Sequence, residues 1–417
     1  SLSGGEALEG LDNAAALGSN IIIVINDNDM SIAENHGGIY QNLKLLRDTK
    51  GQAECNLFKA MGFDYLYVDE GNNIEKMIEA FKKVKDVSHP TVLHIKTLKG
   101  HGLAVAEENK EAFHWIMPGV LDEKPENAQN TVVEDYSSLT KDFIMQKVKE
   151  DKTTVVVNAA TPGVFGFDPE FRKKLGVHYT DVGIAEEHAV AYSSALAKAG
   201  AKPILTIMSS FVQRTYDQLS QDLCLNKSPL VILVADATHL CSFDMSMMSN
   251  IPNLTYLCPV NKEEYLAMLE YAYAQNEGPV VIRVPSCQLE SCGCEDKTDY
   301  SISNKFKVVE NGEKIALLGL GNFFNLAKDV KKEIQSKLNI NATLINPRFI
   351  SGIDKELLES LKSNHQIVVT LEDGILDGGF GEKISRFYGN SDMKVLNYGA
   401  IKEFTDREPM NSLYDRY

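Results

Sequence analysis

The chain contains no run approaching the roughly 18 apolar residues of a membrane-spanning helix. No signal-peptide pattern opens it, although a longer front would hide one. Positive charge is in deficit. The 42 Lys and Arg against 58 Asp and Glu leave a net charge of −16, which argues against nucleic acid as a partner. Any anionic phosphate ligand must then be held by local donors against that field. There is no disulfide framework. The seven cysteines, Cys55, Cys224, Cys241, Cys258, Cys287, Cys292 and Cys294, are odd in number and lack framework spacing, which suits a reducing cytoplasm. The last three cluster in Ser286-Cys287-Gln288-Leu289-Glu290-Ser291-Cys292-Gly293-Cys294. Without a fourth ligand at the usual spacing, this stretch reads as a loop with reactive thiols rather than a metal site. Short-period repeats and low-complexity tracts are also missing.

What is present is the composition of soluble globular domains, with 44% hydrophobic and 24% charged residues over 417 positions. That length fits two or three domains. From 1 to about 115, strand and helix patterns alternate. Strands are predicted at Ile21–Ile25, Tyr65–Val68 and Thr91–Thr97. Helices are predicted at Glu6–Leu17, Asn42–Asp48, Gln52–Met61 and Ile74–Val87. Such alternation predicts an α/β fold of parallel sheets flanked by helices, with ligands at the carboxyl ends of the strands. A polar linker is expected at 116–137 and a second α/β domain at 138–290. Its strands fall at Thr153–Asn158, Val177–Val182, Pro203–Met208, Leu230–Ala235, Leu254–Cys258 and Val280–Val284. A connector at 286–303 leads to a third domain at 304–417, with strands at Ile315–Leu318, Ala342–Ile345 and Ile367–Leu371. The turns Gly319-Leu320-Gly321 and Gly378-Gly379-Phe380-Gly381 read as tight strand-to-helix turns rather than phosphate loops.

Two segments carry the chemistry. Ile184-Ala185-Glu186-Glu187-His188-Ala189 sets a carboxylate near a helix N-terminus, just past a strand. Ser209-Ser210-Phe211-Val212-Gln213-Arg214 follows another strand and offers an aromatic face with an arginine nearby. A flat basic heterocycle needs one hydrogen bond to a ring nitrogen and one stacking surface. Either piece alone is better explained as a capping Glu and a core Phe; the functional reading rests on their combination. Upstream, Ser1-Leu2-Ser3-Gly4-Gly5 opens a helix, where backbone N–H groups can cradle phosphate. Asn26-Asp27-Asn28-Asp29-Met30-Ser31 ends an apolar strand and offers oxygen ligands to a hard cation such as Mg²⁺. Phosphate and magnesium together point to a diphosphate cofactor.

In combination these segments resemble the thiamine-diphosphate motif of the transketolase superfamily. Their wording is most similar to the 1-deoxy-D-xylulose-5-phosphate synthase family. Lys99-Gly100-His101-Gly102, Phe113-His114 and Phe211-Val212-Gln213-Arg214-Thr215-Tyr216-Asp217-Gln218 extend the likeness through nearly the whole chain. The resemblance implies a transketolase-like fold of three consecutive domains, the first being the C-terminal part of a diphosphate-binding domain. It implies a transferase of isoprenoid biosynthesis using thiamine diphosphate and Mg²⁺, with a 2-oxo acid donor and an aldehyde acceptor. It further implies a cytoplasmic homodimer. Asn28 would hold Mg²⁺ through its side chain and Met30 through its carbonyl. Ser1 would join the cofactor site, Lys99 would contact the diphosphate, Ile184 would press the cofactor into its bent form, Glu186 would bind the pyrimidine N1′ and Phe211 would stack on that ring. His114 and His239 would face the reacting substrate carbons. Arg214, Ser286 and Asp236 would contact substrate.

The chain departs from that family in places. It begins where a metal-binding Gly-Asp-Gly would just have ended, which is expected of part of a longer polypeptide or of a front supplied by a separate chain. No Arg occurs between Arg214 and Arg283, and Ser286 stands where a phosphate-gripping Arg is usual. Leu103 and Met208 replace tyrosines, and Arg283 reads as structural. Three functions stay open: the synthase joining pyruvate to glyceraldehyde 3-phosphate, a transketolase-like enzyme with another donor or acceptor, and a non-catalytic subunit.

Overall fold

The structure is a computed structural model that describes residues 2–116, 134–235, 243–405, 408 and 410–416. Two compact units are resolved by contact density. One takes in Ser1–Val132 with Ala159–Pro162 and Asp181–Ala185, and the other takes in the remainder.

In the first unit, strands β1 (Ile22–Asp27), β2 (Asp64–Val68) and β3 (Thr91–Lys96) form a parallel sheet in the order β1-β3-β2. Ile22 and Asp64 both pair with Thr91. β3 is buried from Thr91 to Ile95 because both faces of the central strand are covered. Leu11, Leu43, Leu46, Phe58 and Val92 pack as one cluster, and Ala80, Val84, Leu93 and Ile95 as another. The helix expected over Gln52–Met61 is reduced to Leu57–Ala60. Lys50 and Gly51 take left-handed φ of 49° and 78°, which breaks the chain direction. The Asn56 side chain then accepts from Phe58 and Lys59 N–H, so the helix starts only there.

In the second unit, β4 (Thr154–Asn158), β5 (Tyr179–Asp181), β6 (Lys202–Met208), β7 (Val231–Ala235), β8 (Thr255–Leu257) and β9 (Val280–Arg283) form a sheet in the order β5-β4-β6-β7-β9-β8. β5 is shorter than the Val177–Val182 run predicts, because Gly176–His178 is wound into a 3₁₀ turn. A five-stranded sheet follows, from β10 (Lys307–Glu310), β11 (Lys314–Gly319), β12 (Thr343–Asn346), β13 (His365–Ile375) and β14 (Lys394–Ala400), in the order β10-β12-β11-β13-β14. Only β10 in that sheet runs antiparallel to its neighbour. The sheets are thus mainly parallel and flanked by helices.

The Gly378–Gly381 turn is closed from below by a buried carboxylate. Glu372 accepts the N–H groups of Phe380 (2.8 Å) and Gly381 (2.7 Å) at the start of helix Phe380–Tyr388. A Cβ on Gly379 would lie 2.6 Å from Glu372 Oε2. Burial pushes the Glu372 carboxyl up to about 7. The donors a phosphate would need are already taken by this side chain.

Candidate functional site

β1 delivers Asp27 and Asn28 to the carboxyl edge of the first sheet, and the loop beyond is held by buried charge. Arg47 Nη1 donates to both oxygens of Asp27 (2.8 and 2.6 Å). His94 Nε2 lies 2.9 Å from Asp27 Oδ2, and its Nδ1 is 2.7 Å from the Tyr65 hydroxyl. Arg47 also pairs with Asp29, which sits at φ 63°. Asn28 Oδ1 accepts the Met30 N–H at 3.1 Å. Lys99, just past β3, donates to the carbonyls of Ser31 (2.7 Å) and Ile32 (3.1 Å). The Asn28 and Met30 oxygens therefore lie on a loop braced from two directions. This Asp27–Arg47–His94–Tyr65 network was not anticipated. The available signal was His94, a lone polar ring inside an otherwise apolar strand.

Burial alone would push the Asp27 carboxyl up, but the His94 and Arg47 hydrogen bonds outweigh it and hold the group below the ordinary range. A depressed carboxyl contributes stability that is present above its unfolded pKa, about 3.9, and lost as pH falls through the folded value. Asp27→Asn should cost about 1–3 kcal/mol at neutral pH, leaving Arg47 buried without its full partner. It should also flatten the loss of stability below about pH 4. Denaturant midpoints of both proteins across pH 2–7 check this, and parallel curves would refute it.

The Lys99 charge acts on His114. Burial lowers the Lys99 pKa, with nearby Glu111 acting in the opposite direction. Burial also lowers the His114 pKa, and the Lys99 charge lowers it further. Both effects favour the neutral imidazole, the form that can accept a proton. Ile184 follows a tight turn in which Asp181 Oδ1 accepts the N–H groups of Ala160 (3.0 Å) and Gly183 (2.8 Å). The Ser3 hydroxyl donates to the Ile184 carbonyl at 3.5 Å. All these residues belong to the first unit.

In the second unit Glu186 is the first residue of helix Glu186–Lys198 and only 2% exposed. Arg214, on the 3₁₀ turn Val212–Thr215 beyond β6, reaches it: Nη1 lies 2.5 Å from Glu186 Oε2, and Nη2 lies 3.0 Å from Glu187 Oε1. Burial pushes the Glu186 carboxyl up. Its own backbone N–H and the Arg214 charge oppose that without cancelling it. Phe211 is half-buried and heads the same turn, its carbonyl accepting the Arg214 N–H. Arg214 is thus engaged by two glutamates. Ser286 is exposed, and its N–H donates to Asn322 Oδ1 at 3.3 Å. Arg283 is buried between Asp244 and Asp373. Ser1, Asp236 and His239 lie outside the described residues, as does most of the expected linker at 116–137, over 117–133.

The donors suit a thiamine-type cofactor with a hard cation. Among the described residues no cluster of three His, Cys, Asp or Glu could hold a metal. The Asn28 side chain and the Met30 carbonyl are oxygen donors, and Mg²⁺ commonly completes its shell with phosphate oxygens and water. Glu186 supplies a buried carboxyl whose raised pKa suits sharing a proton with a ring nitrogen.

Known proteins agree. The family model described as 1-deoxy-D-xylulose-5-phosphate synthase matches residues 1–56 and 47–97. The transketolase pyrimidine-binding domain matches 135–290, and the transketolase C-terminal domain matches 304–415. A 1-deoxy-D-xylulose-5-phosphate synthase of Lachnoclostridium phytofermentans is 34% identical over 97% of this chain and 72% of that relative. The synthase of Clostridium acetobutylicum is 32% identical over 100% and 74%. A solved chain described as a split-gene transketolase, inactive β4 tetramer, superposes with a TM-score of 0.57 at 20% identity, over 68% of this chain and 92% of that one. That likeness establishes the transketolase-like fold. With the matches running from the first strand–helix unit to the last sheet, the chain belongs to the 1-deoxy-D-xylulose-5-phosphate synthase family.

Proposed function

We propose that this protein is a thiamine-diphosphate- and Mg²⁺-dependent transferase that releases CO₂ from pyruvate and joins the remaining two-carbon unit to an aldehyde. With glyceraldehyde 3-phosphate as acceptor the products are 1-deoxy-D-xylulose 5-phosphate and CO₂. The observation that carries this reading is Glu186, a buried carboxyl at a helix start with its pKa pushed up. When bound, the cofactor supplies the carbon nucleophile and the electron sink. The protein supplies orientation and proton control. Asn28 and Met30 bind the metal, Lys99 faces the diphosphate, Ile184 and Phe211 fix the ring pose, and Glu186 shares a proton at N1′. His114 and His239 move protons at the substrate oxygens. The functional divisions are 1–115, 138–290 and 304–417, and the working form is a cytoplasmic homodimer. Among the described residues no helix is long and apolar enough to cross a membrane.

One observation favours a second reading of the acceptor. No arginine stands between Arg214 and Arg283. Arg214 is paired with Glu186 and Glu187, and Arg283 is buried between two aspartates. A phosphate held by Ser286, His239, backbone N–H groups or a released Arg214 has little fixed positive charge around it. Each charged hydrogen bond missing costs about 1.5–3 kcal/mol. The expected outcome is a KM for glyceraldehyde 3-phosphate raised on the order of tenfold or more over that of an arginine-gripped phosphate, or a preference for another aldehyde. Pyruvate decarboxylation without acceptor, read as CO₂ release, tests the donor half. Kinetics across phosphorylated and unphosphorylated aldehydes test the acceptor half. No CO₂ release with saturating cofactor and Mg²⁺ would defeat the main reading. A micromolar KM confined to glyceraldehyde 3-phosphate would defeat the second.

A further inference from the structure

The connector between the two transketolase-type regions carries a dithiol that the proposed reaction does not use. Cys292 and Cys294 lie in the 291–303 stretch, which neither the pyrimidine-domain match nor the C-terminal match covers. Both are exposed, and Cys292 Sγ stands 3.2 Å from Cys294 Sγ. The turn that brings them together is built. Gly293 between them takes φ +69°, a conformation that costs a side-chain-bearing residue energy. Glu263, in the first turn of helix Lys262–Ala274, grips the turn through its carboxylate. Oε2 accepts the Cys292 N–H (3.0 Å), and Oε1 accepts the Gly293 N–H (3.2 Å) and the Ser291 hydroxyl.

The flanks are anchored as well. On one side the Glu290 carbonyl accepts the Lys262 N–H (2.9 Å), and its carboxylate accepts Asn325 Nδ2 (2.5 Å) and Lys328 Nζ (3.3 Å). On the other side Asp296 accepts the Tyr300 hydroxyl (2.5 Å) and the Thr298 hydroxyl (2.7 Å). The two sulfurs are therefore held together by the fold. Residues two apart across such a turn place their Cα atoms within the roughly 4.4–6.8 Å a disulfide spans.

We propose that Cys292 and Cys294 form a reversible dithiol–disulfide site that exchanges with low-molecular-weight disulfides. Cys292 donates its S–H to the Cys294 carbonyl at 3.3 Å, which leaves the Cys294 sulfur as the first attacker. Cys294 loses its proton to solvent and its thiolate attacks one sulfur of glutathione disulfide, breaking that S–S bond and expelling one glutathione thiolate, which takes up a proton. Cys292 then loses its proton to solvent and attacks the protein sulfur of the mixed disulfide, expelling the second glutathione. Two electrons pass from the protein to glutathione disulfide: two protein thiols and one glutathione disulfide give one protein disulfide and two glutathione thiols. A ring enclosing a single residue is strained, so the bond is readily reduced, as a reversible site requires.

The test uses the whole protein in graded mixtures of reduced and oxidised glutathione, followed by alkylation, tryptic digestion and fragment mass spectrometry. Cleavage after Arg283 and Lys297 puts Cys287, Cys292 and Cys294 in one peptide. In oxidising mixtures that peptide is expected to lose two hydrogens and keep one alkyl group, on Cys287, with full reversal by dithiothreitol. Cys292→Ser and Cys294→Ser should each abolish the change, while Cys287→Ser leaves it intact. Both serine variants alter exposed side chains, and unchanged far-ultraviolet circular dichroism checks that they fold. Pairing of Cys287 with either partner, glutathione adducts that never resolve, or full alkylation of Cys292 and Cys294 in the most oxidising mixture would each overturn the proposal.

Discussion

Glu186→Gln is expected to lower turnover about 10²–10⁴-fold, the scale for removing a positioned proton-transfer group, whereas Glu187→Gln stays within about threefold. The two residues are adjacent and both bond to Arg214, yet their surroundings differ. The Glu186 side chain is 2% exposed and that of Glu187 31%. Burial pushes the Glu186 carboxyl up, which suits it to share a proton with a buried ring nitrogen, whereas the Glu187 side chain is partly open to water. Glutamine keeps the shape and one acceptor oxygen but cannot give up or regain a carboxyl proton. The substitution also leaves the Arg214 charge facing a neutral amide, with Glu187 as its remaining carboxylate. Steady-state pyruvate decarboxylation gives the turnover comparison. Calorimetric titration of thiamine diphosphate with Mg²⁺ reports binding separately. Equal losses in the two variants would show that the proton-exchanging carboxyl is not Glu186.

That prediction was accessible from sequence because its signal is local. Glu186 follows a short strand and begins a helix, and Phe211 and Arg214 follow a second strand within one turn. The α/β alternation is legible for the same reason: β7 is an unbroken apolar run, and β3 is apolar at Val92, Leu93 and Ile95 with only His94 between them. What was not legible depends on non-local pairing. β14, Lys394–Ala400, alternates exposed and partly covered residues over 394–398 at a sheet edge before two buried ones, and β10 has four residues, of which three are exposed. Neither leaves a strong apolar signature. The same holds for the charge network under the metal loop. Asp27, Arg47 and His94 are 20 to 67 residues apart, and nothing in the spacing of Arg47 along its helix announces that its head is buried. The engagement of Arg214 by both glutamates was missed too. The sequence pattern suggests a substrate contact for this residue, and a close ion pair between two motif segments cannot be read from either alone.

Arg283 shows what sequence could and could not supply. It reads as structural from its place at a strand end, but the size of its role follows only from its partners. The side chain is 1% exposed. Nε donates to Asp244 Oδ2 (2.8 Å), Nη2 to Asp244 Oδ1 (3.4 Å) and Nη1 to Asp373 Oδ1 (2.7 Å). Tyr256 donates its hydroxyl to Asp244 (2.5 Å), and Asn322 donates to the other oxygen of Asp373 (2.7 Å). One guanidinium thus compensates two buried carboxylates, one from helix Asp244–Met248 and one from β13 in the other sheet of the same unit. Desolvation disfavours the charged arginine, but the two aspartates outweigh it and hold its pKa well above the ordinary value. Removing the cation leaves two like charges buried without their counter-ion, each keeping neutral hydrogen-bond donors such as the Tyr256 hydroxyl and the Asn322 amide. Arg283→Met should therefore destabilise by about 3–5 kcal/mol, the cost of breaking rather than replacing a buried ion pair. Arg283→Lys should recover only part of this, because a point charge cannot serve both carboxylates in the fork geometry. The triple variant Arg283→Met, Asp244→Asn, Asp373→Asn removes the stranded charges and should be more stable than Arg283→Met alone. Urea midpoints of the three variants and the parent decide it. An Arg283→Met loss below about 1 kcal/mol, the scale of an exposed pair, would mean that water reaches this network and that it does not hold the two sheets together.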